Sequence, residues 1–220
     1  YYQEMAKTDP SYHLQIARVH KAMKEYDKAI EVYNKYLKEN PNLDYDDKQL
    51  VQSAIEGIYY NQKRYDLLKE EWTKGIKKDP YSSLALSYHL QFVEYYLQSK
   101  DYDNYIKELK TVVRKFPGTD MAANALGNLA AYYLGYGAPD VQTEPETAYK
   151  YLVKLMKEYP ESNWAKNKES EYKELKEKFG EKEYEYPEFT PERGKKEDIS
   201  KIKIEEPVIV GNTPITPVKD

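Results

Sequence analysis

The stretch EYDKAIEVYNKYLKENP, from Glu25 to Pro41, decides the fold, because the chain repeats it with variations. RYDLLKEEWTKGIKKDP runs from Arg64 to Pro80, and DYDNYIKELKTVVRKFP from Asp101 to Pro117. A fourth copy, PETAYKYLVKLMKEYP, runs from Pro145 to Pro160. The closing prolines stand at 41, 80, 117 and 160, an interval of about forty residues. A unit of that length signals stacked helical repeats rather than one closed globule. Within each copy the apolar residues recur at helix spacing: Ala29, Tyr33 and Tyr36; Leu68, Trp72 and Gly75; Tyr105, Leu109 and Val112; Ala148, Leu152 and Leu155. Residues four and then three apart share one helix face. The closing proline cannot continue a helix, so each copy ends there.

Upstream of each copy a second helical pattern is legible. It is carried by Leu14, Ile16, Ala17 and His20, then by Val51, Ala54, Ile55, Ile58 and Tyr59. Leu86, Leu90, Phe92, Val93 and Tyr96 carry it in the third unit, and Ala122, Ala125, Leu126, Leu129 and Tyr133 in the fourth. Each unit is therefore predicted to be a pair of antiparallel helices. Asp27, Asp66 and Asp103 stand near the second-helix starts, where a carboxylate caps backbone N–H groups.

These positions resemble the tetratricopeptide repeat. That family sets small residues where the two helices cross, an aromatic in the second helix, and a closing proline. Ala17, Ala29, Tyr33 and Pro41 fit in the first unit; Trp72, Gly75 and Pro80 in the second; Gly127 or Ala130, with Ala148 and Pro160, in the fourth. Leu68 and Tyr105 replace the usual small residue, and the units exceed the usual length of about 34 residues. The resemblance implies an all-α fold, a solenoid of helix pairs wound as a right-handed superhelix. Residues 1–10 read as the end of a preceding repeat, since Tyr2, Met5 and Pro10 fit a second helix. Residues 11–160 read as four helix pairs, 161–180 as a capping helix, and 181–220 as an extended, Pro-rich tail. Trp164, Lys168, Tyr172, Leu175 and Phe179 give the cap one helical stripe among charged residues, as the end of a solenoid requires.

Composition narrows the function. Charged residues make up 33% with both signs interleaved, and the net charge of −4 offers no basic field for a phosphate backbone. Nucleic-acid partners are therefore excluded. No run of about 18 apolar residues exists to span a membrane. Cysteine is absent, which removes disulfides, thiol chemistry and zinc–thiolate sites. Tyrosine is abundant, 25 residues against four phenylalanines and two tryptophans. Its apolar body and polar tip suit thin layers whose core lies near water; packing explains it better than a platform for stacked bases.

The motifs of catalysis are missing: no Gly-rich dinucleotide or phosphate loop, no HExxH, no GxSxG. His13 and His20 stand seven apart, but His20 takes a large-core position of the repeat, and His89 has no evident partner. Asp44, Asp46 and Asp47 lack the Gly turn and distal Glu of a calcium loop, so they read as a solvated loop capping the next helix. Gly135 and Gly137 read as a helix end rather than a phosphate loop. No catalytic, metal or cofactor site is assigned, and the chain reads as a non-enzyme.

In the family the first helices line a concave groove that holds peptides. By position, that groove comprises Leu14, Arg18 and Lys21; Leu50, Ser53, Gly57 and Tyr60; and Leu90, Glu94 and Leu97. Leu14, Ser53, Gly57, Leu90 and Glu94 do not fit the Lys/Asn/Arg clamp that chaperone adaptors use for a terminal carboxylate. The groove is mixed and rather apolar, suited to an extended segment with Leu, Ile or Pro side chains. The resemblance thus implies a protein–protein interaction scaffold. The alternative is a constitutive subunit of a larger, membrane-associated or envelope complex, anchored by its tail.

The tail, with prolines at 187, 191, 207, 214 and 217, has Tyr186, Phe189, Ile202, Ile204, Val208 and Ile209 as docking candidates. The groove itself, or a neighbouring molecule, is a candidate place for it to dock. Pro117-Gly-Thr-Asp-Met-Ala and Pro160-Glu-Ser-Asn-Trp-Ala resemble the joint between repeats of bacterial cell-envelope members; Pro41 and Pro80 do not share it. That favours the periplasm or envelope and leaves the cytoplasm open.

Overall fold

A computed structural model describes residues 11–136 and 142–190, and the described residues contain helices and no strand. In chain order these are α1 (Tyr12–Ala22), α2 (Tyr26–Glu39), α3 (Tyr45–Asn61), α4 (Tyr65–Lys78) and α5 (Ser83–Gln98). Then come α6 (Tyr102–Lys115), α7 (Asp120–Tyr133), α8 (Pro145–Glu158), α9 (Asn163–Asn167) and α10 (Glu169–Phe179). A single 3₁₀ turn, Pro187–Phe189, follows. The repeated phrases are α2, α4, α6 and α8, each preceded by the helix that the second apolar pattern predicts.

The turn inside each pair has one construction. Lys24, Lys63 and Lys100 adopt left-handed backbone, with φ of 60°, 57° and 57°, and Gly135 takes that role in the fourth unit with φ of 84°. The next N–H then reaches back five residues: Glu25 to the His20 carbonyl, Arg64 to Tyr59, Asp101 to Tyr96 and Tyr136 to Ala131, each at 2.9 Å. This is the Schellman closure, which satisfies carbonyls that the helix end would otherwise orphan.

Between pairs, the N-caps are side-chain oxygens. Asp44 accepts from Asp47 N–H at 2.8 Å, Ser82 from Ala85 at 3.1 Å, Thr119 from Ala122 at 3.2 Å and Ser162 from Ala165 at 3.1 Å. The expected acidic loop is thus a cap and a first turn: Asp44 caps α3, and Asp46 and Asp47 lie within its first turn. Within pairs, Asp101 caps α6 by accepting from Asn104 N–H at 3.3 Å. Asp27, Asp66 and Asp103 lie one step further in, within the first turns, where they act on the helix dipole rather than as caps.

The described residues divide into two compact units, 11–71 and 72–190, with the boundary inside α4. In the first, Ala17 and Ala29 are fully buried where α1 meets α2, and Tyr33, Tyr36, Val51, Ile55 and Ile58 complete the core. In the second, Trp72 meets Phe92 edge-on at 5.1 Å, and Leu109, Phe116, Leu126 and Leu152 form a continuous interior. Two crossings there depend on glycine. A Cβ on Gly75 would stand 2.2 Å from the Tyr88 ring, and one on Gly127 would stand 2.6 Å from the Trp164 ring.

The expected single capping helix is two pieces, α9 and α10, broken at Lys168 (φ −103°, ψ 8°). The short α9 is drawn onto α7, where Trp164 covers Gly127. The longer α10 lies on α8, where Tyr172 and Phe179 both stack on Tyr149 at 5.9 Å. One straight helix does not serve both contacts. His89 also departs from expectation: it is buried and its Nδ1 hydrogen-bonds Glu108 at 2.7 Å. Sequence spacing did not show this pair because Glu108 lies on the next helix.

Candidate protein-binding site

The first-helix positions of residues 11–71 converge on a cleft of about 550 Å³. It is lined by Leu14, Arg18, Lys21 and Ala22 of α1, Tyr33 of α2, and Leu50, Val51 and Ala54 of α3. The helix repeat dictates this gathering. Leu14, Arg18 and Lys21 are four and three apart on α1, so they form one stripe. Leu50, Val51 and Ala54 supply the facing wall from α3.

The cleft is apolar at the base and cationic on one side. Val51 is 1% exposed, whereas Leu50 stands 54% exposed at the rim, an apolar side chain open to water. Among the described residues, the charged heads of Arg18 and Lys21 have no carboxylate partner. Tyr33 is buried beneath them; burial raises the pKa of its phenol, while the Arg18 charge opposes that shift. Arg18 therefore acts electrostatically on the cleft interior. The chemistry available is non-covalent: an apolar surface to cover and two cations to neutralise.

Of the other sequence-derived groove residues, Ser53 is exposed outside this lining, and Gly57 faces open space, with nothing within 4 Å of an added Cβ. Tyr60 turns its ring to the edge of Tyr65, at 6.0 Å. In the unit 72–190, Leu90 and Leu97 pack partly against the core, while Glu94 is exposed and accepts from the Gln98 side-chain amide. Glu94 also acts on Tyr105, whose phenol is pushed up to about 12, first by burial and then by that carboxylate. Ala22, Tyr33, Val51 and Ala54 are cleft residues that the groove positions do not include. Ala22 and Ala54 carried no groove signal, and Tyr33 was legible only as core.

The tail candidates divide. Ile202, Ile204, Val208 and Ile209 lie outside the described residues. Tyr186 and Phe189 lie on α8: the Tyr186 hydroxyl donates to the Lys150 carbonyl at 2.8 Å, and the Phe189 ring meets Tyr151 at 6.0 Å. Phe189 is 8% exposed.

Among the described residues no three His, Cys, Asp or Glu side chains gather as a metal site. None of the described helices is long and apolar enough to cross a membrane.

Residues 12–43, the first helix pair and its closing proline, match the family model of the tetratricopeptide repeat. No curated protein and no solved structure matches the chain. The matched pair shares its turn and its closing proline with the helix pairs that follow, and repeats of this kind serve protein–protein interaction. Residues 12–43 are a tetratricopeptide repeat, and the helix pairs that follow continue a helical-repeat architecture of the same plan.

Proposed function

We propose that the chain is a non-catalytic adaptor that holds an extended segment of a partner protein in the first-helix cleft of residues 11–71. The observation that carries this reading is the cleft's composition: an aliphatic wall, with Leu50 left open, beside two cations that have no carboxylate partner among the described residues. Burying exposed aliphatic surface contributes about 25 cal/mol per Å². Arg18 and Lys21 add attraction for acidic groups and reject basic ones, which sets selectivity and association rate more than affinity. The segment that fits is extended, carries Leu, Ile or Val anchors, and has Asp or Glu beside them.

An array of 12-residue peptides graded in acidic and aliphatic content tests this with purified protein. Binding is expected to rise with both properties together. Leu50→Asp weakens it at least tenfold, and Arg18→Glu shifts preference toward basic peptides; the far-ultraviolet spectrum stays as in the parent. Leu50 and Arg18 variants that bind the array as the parent does overturn the reading.

A further inference from the structure

Residues 181–190 leave α10 at Gly180, whose φ is 75°, and return over α8 to reach α6 with the turn Pro187–Phe189. The segment alternates like an extended peptide read by a surface. Glu183, Glu185 and Pro187 are exposed, while Tyr184, Tyr186, Glu188 and Phe189 turn inward.

The inward side chains account for the attachment. The Tyr186 hydroxyl bonds the Lys150 carbonyl. Glu188 pairs with Lys150 Nζ at 2.9 Å, and Lys154 Nζ stands 4.6 Å over the Tyr186 ring and 5.5 Å over Phe189. The strap's own backbone bonds beyond Gly180 are local: Phe189 N–H to the Tyr186 carbonyl and Thr190 N–H to the Pro187 carbonyl. Among the described residues no main-chain bond ties residues 181–190 to a helix. A surface that grips two aromatic anchors and one carboxylate, and leaves the backbone alone, is built like a peptide-recognition site. It needs no covalent continuity with its occupant.

We infer that the α6–α8 face is a second recognition site, for an acidic segment of a partner protein carrying Tyr-Pro-x-Phe, and that residues 181–190 are its tethered occupant. Charge complementarity selects this ligand. Glu181, Glu183, Glu185 and Glu188 accompany one lysine in the strap, and Lys150, Lys154 and Lys110 face it. A short tether holds its ligand at roughly millimolar effective concentration. The site therefore presents itself to a partner only when the strap lifts, and a competing segment must match its chemistry. The inference is independent of the cleft in residues 11–71, since it uses different helices.

The test uses the full chain and a fluorescein-labelled peptide of residues 181–190. The double variant Tyr186→Ala/Phe189→Ala keeps the strap attached and removes its anchors. This variant is expected to bind the peptide saturably, at least tenfold tighter than the parent, and to lose that binding when Lys154→Glu is added. No saturable binding to a folded double variant overturns the inference, as does equal binding by the parent.

Chymotrypsin supplies an arm that does not depend on the variant folding. No Tyr, Phe, Trp, Leu or Met follows Phe189, and Pro187 protects the bond after Tyr186, so cuts after Tyr184 or Phe189 report the strap. In the parent these cuts are expected well below the urea concentration of global unfolding. Cuts that appear only with global unfolding make the strap an inseparable part of the core and overturn the inference. Exchange of straps between two copies, seen as a dimer cross-competed by the same peptide, supports the site and names a second chain as one source of the ligand.

Discussion

The two glycines Gly57 and Gly127 sit on first helices in the two compact units, and their surroundings are opposite. Gly127 is covered by the Trp164 ring, so that a Cβ there would stand 2.6 Å from it; Gly57 has nothing within 4 Å. The same contrast runs through the units that hold them. In residues 72–190, α7 offers Ala122, Ala123, Ala125, Gly127 and Ala130 for close approach, and neighbours fill the space. In residues 11–71, Val19, Met23 and Leu50 remain exposed and a cleft stays open. Similar repeat grammar thus gives one closed layer and one that keeps apolar surface in water. Closed packing places most of the interior in residues 72–190; the open layer leaves apolar surface uncovered.

The largest test of that contrast is Phe116→Ala against Leu50→Ala. Phe116 is fully buried, and deleting a buried phenyl ring costs about 3–5 kcal/mol. Leu50 is largely exposed, and its truncation stays within about 0.5 kcal/mol. Urea unfolding of both variants measures the difference, and similar losses would erase the distinction between the layers.

A smaller effect separates the glycines themselves. Gly127→Ala forces a methyl group into Trp164 and costs about 1–3 kcal/mol. Gly57→Ala meets open space inside a helix, so it stabilises by roughly 0.5–1 kcal/mol. Opposite signs in a thermal melt are the expected result. A neutral Gly127→Ala would mean that α9 does not bear on α7.

Titration gives the finest distinction, because the second unit holds the strongly shifted groups. Burial, then the Glu94 carboxylate, pushes the Tyr105 phenol up to about 12. A phenol with a raised folded pKa adds stability that is fully present below its unfolded value of about 10. That stability is lost as pH rises toward 12, and Tyr105→Phe removes its share of the dependence. Glu188 behaves in the opposite sense. Burial raises its pKa, but the hydrogen bond and charge of Lys150 outweigh burial and hold it below the ordinary value. Its contribution is present above the unfolded pKa of about 4.3 and fades as pH falls through the lower folded one. Urea stability measured between pH 5 and 3 is therefore expected to fall in the parent and to fall less in Glu188→Gln.

The sequence by itself determined the helix pairs. The spacing of Ala29, Tyr33 and Tyr36, and of its counterparts, is a property of neighbours on one helix, so it is written locally. The closing prolines are local in the same way. The stripe Leu14, Arg18, Lys21 was legible for that reason, and with it one wall of the cleft. Tertiary structure alone decided what faces that wall. Tyr33 served equally as core and as cleft floor until α3 stood opposite it. It also decided that Glu108 reaches His89, that the capping helix breaks at Lys168, and that Tyr186 and Phe189 rest on the lysines of α8. Each of these joins residues distant in sequence or asks one helix to serve two neighbours. No local periodicity encodes such a choice; it follows from which surfaces meet when the helices pack.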